Sequence, residues 1–162
     1  MNGPAMEEAI AATMLLDRAA EIAGIAFGVW GFEYRPDPVI HRPLAEGHNS
    51  QGQRRIAGMK AWGDGTVLHP IFRQAAQTLA QRQEQLKLLI LFHDGGIQDT
   101  DASCVRDSVQ ALRKKGIYVQ PIFIGDNPYA VELNKQVFGH VLACPSVGQL
   151  TPLLRSWLHA LF

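Results

Sequence analysis

Cysteine is scarce: two residues, Cys104 and Cys144, in 162. They form no C-x-x-C pair and have no histidine at ligand spacing, which excludes a disulfide scaffold and a zinc site of the usual kind. They read as buried thiols in a reducing, cytoplasmic setting. Charge of one sign is also missing, because 15 Lys and Arg balance 15 Asp and Glu. With no basic excess or basic stripe, broad binding to nucleic acid or to an acidic membrane surface is not expected. Long apolar runs are absent too. The longest, Leu86 to Phe92 and Ile117 to Ile124, fall far short of the roughly 20 residues that span a bilayer. The first 24 residues carry Glu7, Glu8, Asp17, Arg18 and Glu21 and so lack the form of a signal peptide. Phosphate-loop, dinucleotide-fold, nucleophile-elbow and H-E-x-x-H signatures do not occur, which removes support for nucleotide use and for serine or zinc hydrolysis.

What is present is the composition of one folded domain spanning 1–162. Hydrophobic residues make up 47% and charged residues 19%, enough apolar surface to disfavour disorder. A chain of this length buries roughly two-thirds of its unfolded surface around one core.

Periodicity then gives the elements. Met6 to Ala23 has helical spacing through Ile10, Met14, Leu15 and Ile22, closed by Gly24. Ile25 to Phe32 is of strand length and aromatic-rich, and Val39 to His41, flanked by prolines, suits an edge strand. Ala45 to Gly65 is polar and aperiodic and reads as a loop with at most a helical turn near Ile56. Val67 to Gln85 is an amphipathic helix. Leu86 to Phe92 reads as a central strand buried on both faces. After the turn His93-Asp94-Gly95-Gly96 come a helix from Ala102 to Lys115, a strand Ile117 to Ile124, a short helix Tyr129 to Gln136, a strand Val137 to Ala143 and a helix Thr151 to Phe162. This alternation predicts an α/β fold: a doubly wound, mostly parallel open sheet with helices on both faces.

Ligands of such sheets bind at the carboxyl ends of the strands, where polar residues matter most. His93-Asp94-Gly95 lies at one such end, Gly63-Asp64-Gly65-Thr66 precedes a helix, and Met1-Asn2-Gly3-Pro4 precedes another. Asp94 can cap the segment after it, and Thr66 is a good helix N-cap in its own right. His93 beside Asp94 has the chemistry of a general base, although a lone strand-end histidine is usually structural. His41 and His48 lack matching ligands. Trp30, Trp62 and Trp157 read as packing residues.

Gly65-Thr66 before a helix, then a hydrophobic strand ending in Asp94-Gly95, then a strand-helix-strand continuation, resembles the second and third motifs of a von Willebrand factor type A domain. Met1-Asn2-Gly3-Pro4 is similar to the residues directly after that family's first motif, Asp-x-Ser-x-Ser, so the first strand and its motif are missing. The resemblance implies a non-catalytic protein interaction module with an incomplete metal-ion-dependent adhesion site. Thr66 and Asp94 would be its metal ligands, and magnesium would bind only if the missing motif were supplied. Intracellular bacterial members of the family work beside AAA-type ATPases, including chelatases, which implies a partner of that class. Two other readings stay open: a small metal-dependent hydrolase using Asp94 and Asp64, and a degenerate fragment without activity. If the first strand is absent, the strands starting at Ile25 and Leu86 must either pair directly or leave a gap between them, with unpaired backbone.

Overall fold

A computed structural model describes residues 1, 3–32, 38–60, 67–95, 97, 99–146 and 148–161. Helix α1 (Pro4–Ala23) leads to strand β1 (Val29–Gly31) and strand β2 (Val39–Arg42). Helices α2 (Ser50–Ala57) and α3 (His69–Ala80) precede strand β3 (Lys87–His93). Helix α4 (Asp99–Lys114), strand β4 (Ile117–Ile124), helix α5 (Pro128–Phe138), strand β5 (Leu142–Cys144) and helix α6 (Leu150–Leu161) complete the chain. The fold class expected from the sequence is present. A parallel sheet of order β3-β4-β5 is covered by helices on both faces. Among the described residues no helix is long and apolar enough to cross a membrane.

Two cores lie on the two faces of that sheet. On one, Leu89 and Leu91 of β3 and Ile117 and Val119 of β4 pack with Phe72 and Leu79 of α3, Val105, Val109 and Leu112 of α4, and Phe138 of α5. On the other, Ala9, Ala12 and Leu16 of α1 join Ile122 and Ile124 of β4, Cys144, and Leu150 and Leu154 of α6. Both clusters arise from the period-2 alternation of a strand set against the 3.6-residue period of the helices. Strand β4 is interior and buried at every position except Tyr118. Its Pro121 pairs with Leu91 toward β3, just before pairing with β5 starts at Ile122. A proline cannot donate to a ladder, and here its carbonyl accepts the Gln120 side-chain amide at 2.9 Å.

The sheet is nonetheless split. Strands β1 and β2 form their own antiparallel pair, with Val29 opposite Arg42 and Gly31 opposite Val39, and β1 does not pair with β3. Among the described residues the strands near Ile25 and Leu86 do not pair directly. Among the described residues strand β3 is therefore an edge strand and not the fully buried central strand expected from its sequence. Its burial alternates, with Leu89, Leu91 and His93 buried and Leu88, Ile90 and Phe92 only partly so.

Other expectations need correction. The loop assigned to Ala45 to Gly65 contains the two-turn helix α2. Asn49 caps it by accepting the Gly52 N–H at 2.7 Å, and its one large apolar residue, Ile56, is fully buried. The strand expected over Ile25 to Phe32 shrinks to Val29–Gly31, because the Ile25 N–H is used to close α1 on the Ala20 carbonyl at 2.8 Å around a left-handed Gly24. The face of α1 that packs inward is Ala9, Ala12, Thr13, Leu16, Asp17 and Ala20, while Leu15 and Ile22 are exposed. Small alanines allow a close approach to the sheet that the bulkier stripe would prevent. Helix α3 stops at Ala80, short of Gln85. Val137 and Phe138 belong to α5 and reach the core from a helix that Gly139 ends at φ 77°, leaving only Leu142–Cys144 as the last strand. Finally, Cys144 is buried but Cys104 is exposed on α4.

Candidate functional site at the carboxyl end of the parallel sheet

Strand β3 delivers His93 and Asp94 to the end of the sheet where doubly wound proteins bind ligands. The two face different surroundings. His93 is 3% exposed; its Nδ1–H donates to the Gly95 carbonyl at 3.2 Å, and its ring meets those of Phe123 and Phe138 at centroid distances of 5.6 and 6.3 Å. Burial pushes its pKa down to about 4, overcoming the opposing influences of the Gly95 hydrogen bond and the Asp94 charge. The imidazole is neutral at pH 7, and Nε2 has no partner in its aromatic surroundings. The ring is packed against Phe123 and Phe138.

The Asp94 side chain is 32% exposed, and Oδ1 lies 3.3 Å from the Met1 amino nitrogen. This contact sets the amino end of α1 beside the carboxyl end of β3. An ion pair this open to solvent contributes about 1 kcal/mol or less. Thr66, the other expected metal ligand, lies outside the described residues, as do Asp64 and Trp62. Among the described residues no three His, Cys, Asp or Glu side chains gather as a metal cluster. Magnesium takes about six oxygen donors. One carboxylate next to an ammonium group does not fit that demand, and the described residues do not form such a site.

A second polar group, which no motif in the sequence marks, joins α1 to the β1-β2 pair. Asp17 and Arg42 are both 0% exposed and are joined by a hydrogen-bonded ion pair. His48 Nδ1 lies 3.1 Å from the same Asp17 oxygen, and its Nε2 lies 3.0 Å from the Ile25 carbonyl. His48 is thus a strut between α1, the segment before β1 and the loop before α2. One signal for this group is visible in the sequence: Asp17 falls among Thr13, Leu16 and Ala20 on the inward stripe of α1, where a carboxylate requires a buried partner. Nearby, Arg55 donates to the His41 carbonyl at 2.6 Å and to Glu46 at 2.6 and 2.5 Å, tying α2 to β2. Asn49 and then Arg55 hold the Glu46 carboxyl below its usual range.

Two shallow depressions occur elsewhere. One is lined by Asn49, Ser50, Gln51, Arg54 and Arg55; the other lies at the amino end of the sheet among Arg113, Tyr118, Gly139 and His140. There Arg113 donates to the Phe138 carbonyl at 2.6 Å and stands 3.2 Å from His140 Nδ1. Burial and then the Arg113 charge lower the His140 pKa. Neither depression includes Asp94.

No protein-family model matches the sequence, and no curated protein matches it. Solved structures do match in fold, among them two of proximal thread matrix protein 1 from the mussel byssus, in different crystal forms. They align at TM-scores of 0.76 and 0.72, with 18% and 19% sequence identity, over 96% of this chain. The chain spans 42% of the length of each. At that identity the likeness is one of fold, and it defines the class: a doubly wound α/β domain.

Proposed function

We infer that the chain is a non-catalytic protein interaction module of the von Willebrand factor A type, with a protein partner of the AAA-type ATPase class. The observation that carries this reading is the placement of Asp94, the solvent-accessible acid that ends a parallel strand, beside the start of α1, in a fold shared along 96% of the chain with a thread matrix protein. A buried, neutral His93 with no access to solvent also speaks for binding over chemistry.

Cross-linking in the protein's own cells, comparing the native chain with Asp94→Asn, tests this. Recovery of an AAA-type ATPase that falls at least about tenfold in the variant, a loss of about 1.4 kcal/mol, is the expected outcome. An unchanged set of partners would overturn the role given to Asp94. Turnover of a phosphoester panel that disappears in Asp94→Asn would replace the whole reading with the metal-dependent hydrolase.

A further inference from the structure

Net charge counts residues and not their places. In a chain whose charges balance overall, a group of cations gathers at the amino end of the parallel sheet. Because β3, β4 and β5 run parallel, all three start at that end, and the helices between them finish there. Lys87 opens β3 and lies opposite Ile117, the first residue of β4. Arg113 and Lys114 lie in the last turn of α4, Lys115 follows in the turn to β4, and Lys135 lies in the last turn of α5. The acids beside them are answered locally, Glu84 by Arg82 and Glu132 by Lys135 at 3.8 Å. The charge left over at this end is positive.

Cations in a last turn commonly answer the helix dipole, and one contact here does so: Arg113 Nη2 donates to the Phe138 carbonyl at the end of α5 at 2.6 Å. The same nitrogen stands 3.2 Å from His140 Nδ1, and burial together with the Arg113 charge keeps that imidazole neutral, so it accepts. With Nη2 held on both sides, the guanidinium is oriented before any ligand arrives, its Nη1 beside Gly139. Gly139 turns at φ 77° and Gly116 at φ 72°, so neither puts a side chain over the opening. Tyr118, 40% exposed, adds an aromatic wall with its ring 5.9 Å from that of His140. The result is an open depression of about 540 Å³ with the exposed Lys114 and Lys115 next to it.

We propose that this groove docks an extended segment of a partner protein rich in Asp and Glu. The surrounding charge fixes the sign of the ligand. The open shape suits a chain draped across it, because sites for small molecules enclose most of their ligand. A single-stranded nucleic acid would call for aromatic platforms spaced along a basic track, whereas here the rings of Tyr118 and His140 lie against each other. Asp94 stands at the far end of β3, roughly 20 Å away at about 3.3 Å per residue. The surface is therefore separate from Asp94 and does not depend on the role given to that residue.

Fluorescence anisotropy of the 162-residue chain with a labelled Glu/Gly peptide tests it, with a Gln/Gly peptide of the same length as control. The Glu/Gly peptide should bind, and less tightly as salt rises, since the cations are exposed. Lys114→Glu with Lys115→Glu should weaken binding by about tenfold or more. Arg54→Glu with Arg73→Glu makes the same change in net charge away from the groove and should weaken it far less, and Asp94→Asn should leave it as it was. If the Lys114 and Lys115 reversal lowers the melting temperature, Lys114→Gln with Lys115→Gln takes its place. Unchanged affinity in that pair would overturn the proposal, as would no binding or equal binding of the Gln/Gly peptide. An equal loss in the two reversed pairs would reduce the effect to net charge, and a loss in Asp94→Asn would move the binding to the other end of the sheet; either overturns it. Tighter binding of an oligouridine or of phosphatidylserine vesicles, or displacement of the peptide by inorganic phosphate at the peptide's own concentration, would assign the groove to nucleic acid, a lipid surface or a free anion and overturn it as well.

Discussion

Replacing Asp17 with alanine would remove the carboxylate facing the Arg42 guanidinium and leave that charge where water does not reach. Both side chains are 0% exposed, and Arg42 Nε and Nη2 already lack partners. Breaking a buried pair from one side costs about 3 to 5 kcal/mol, mostly as the uncompensated charge left behind. Domains of this size are stable by roughly 5 to 15 kcal/mol, so the variant should retain only part of its margin. Its melting temperature should fall by about 6 to 20 °C. Arg42→Lys should also be costly, because an ammonium is a strongly hydrated point charge without the guanidinium's planar fork. The informative comparison is the double replacement Asp17→Leu with Arg42→Met, which removes both charges. It should recover most of the loss and is expected near neutral. Urea unfolding read by tryptophan fluorescence and by circular dichroism measures the native protein and each of these variants. A cost below about 1 kcal/mol for Asp17→Ala would refute the reasoning, since that is the scale of a hydrated surface pair.

Three further perturbations have defined outcomes. The folded His93 pKa of about 4 lies below its ordinary value of 6.5, so on acidification the unfolded chain takes up a proton that the folded chain refuses. Stability from this residue is complete above pH 7 and declines from about pH 6.5, with about 3 kcal/mol lost by pH 4; melts across that range should flatten in His93→Leu. Asn49→Ala removes the cap of α2 and should cost about 1 kcal/mol in urea unfolding. A thiol reagent should label Cys104 quickly and reach Cys144 only on unfolding, since Cys144 is enclosed and burial raises its pKa.

The elements legible in the sequence are those whose own pattern is strong. The apolar runs of β3 and β4 and the periodicity of α4 and α6 all correspond to observed elements. Helix α2 escapes a sequence reading because its evidence is one cap and one buried residue, Asn49 and Ile56, in otherwise polar sequence. Val137 and Phe138 have strand-forming composition, yet a helix that ends at Gly139 buries them equally well, and composition alone cannot choose. The site is legible only in part. Asp94 lies at the strand end where its motif placed it, and Thr66 lies outside the described residues. The Asp17 and Arg42 pair is hidden because its members are 25 residues apart and meet only through the tertiary packing of α1 on β2. The half-buried state of β3 cannot be read from an apolar run, because composition reports what a strand can bury and not what stands beside it.

The first and last helices meet: Glu8 of α1 accepts the N–H of Leu150, and Leu16 shares a core with Leu150 and Leu154. During synthesis this has a cost in time. At 5 to 20 residues per second, on the order of ten seconds pass between the making of Leu16 and that of Leu154. For that interval the inward face of α1 lacks its α6 cover, and β4, which shares the same core, can shield it only in part. Burial of that face is therefore complete only after α6 has been made and has packed against α1.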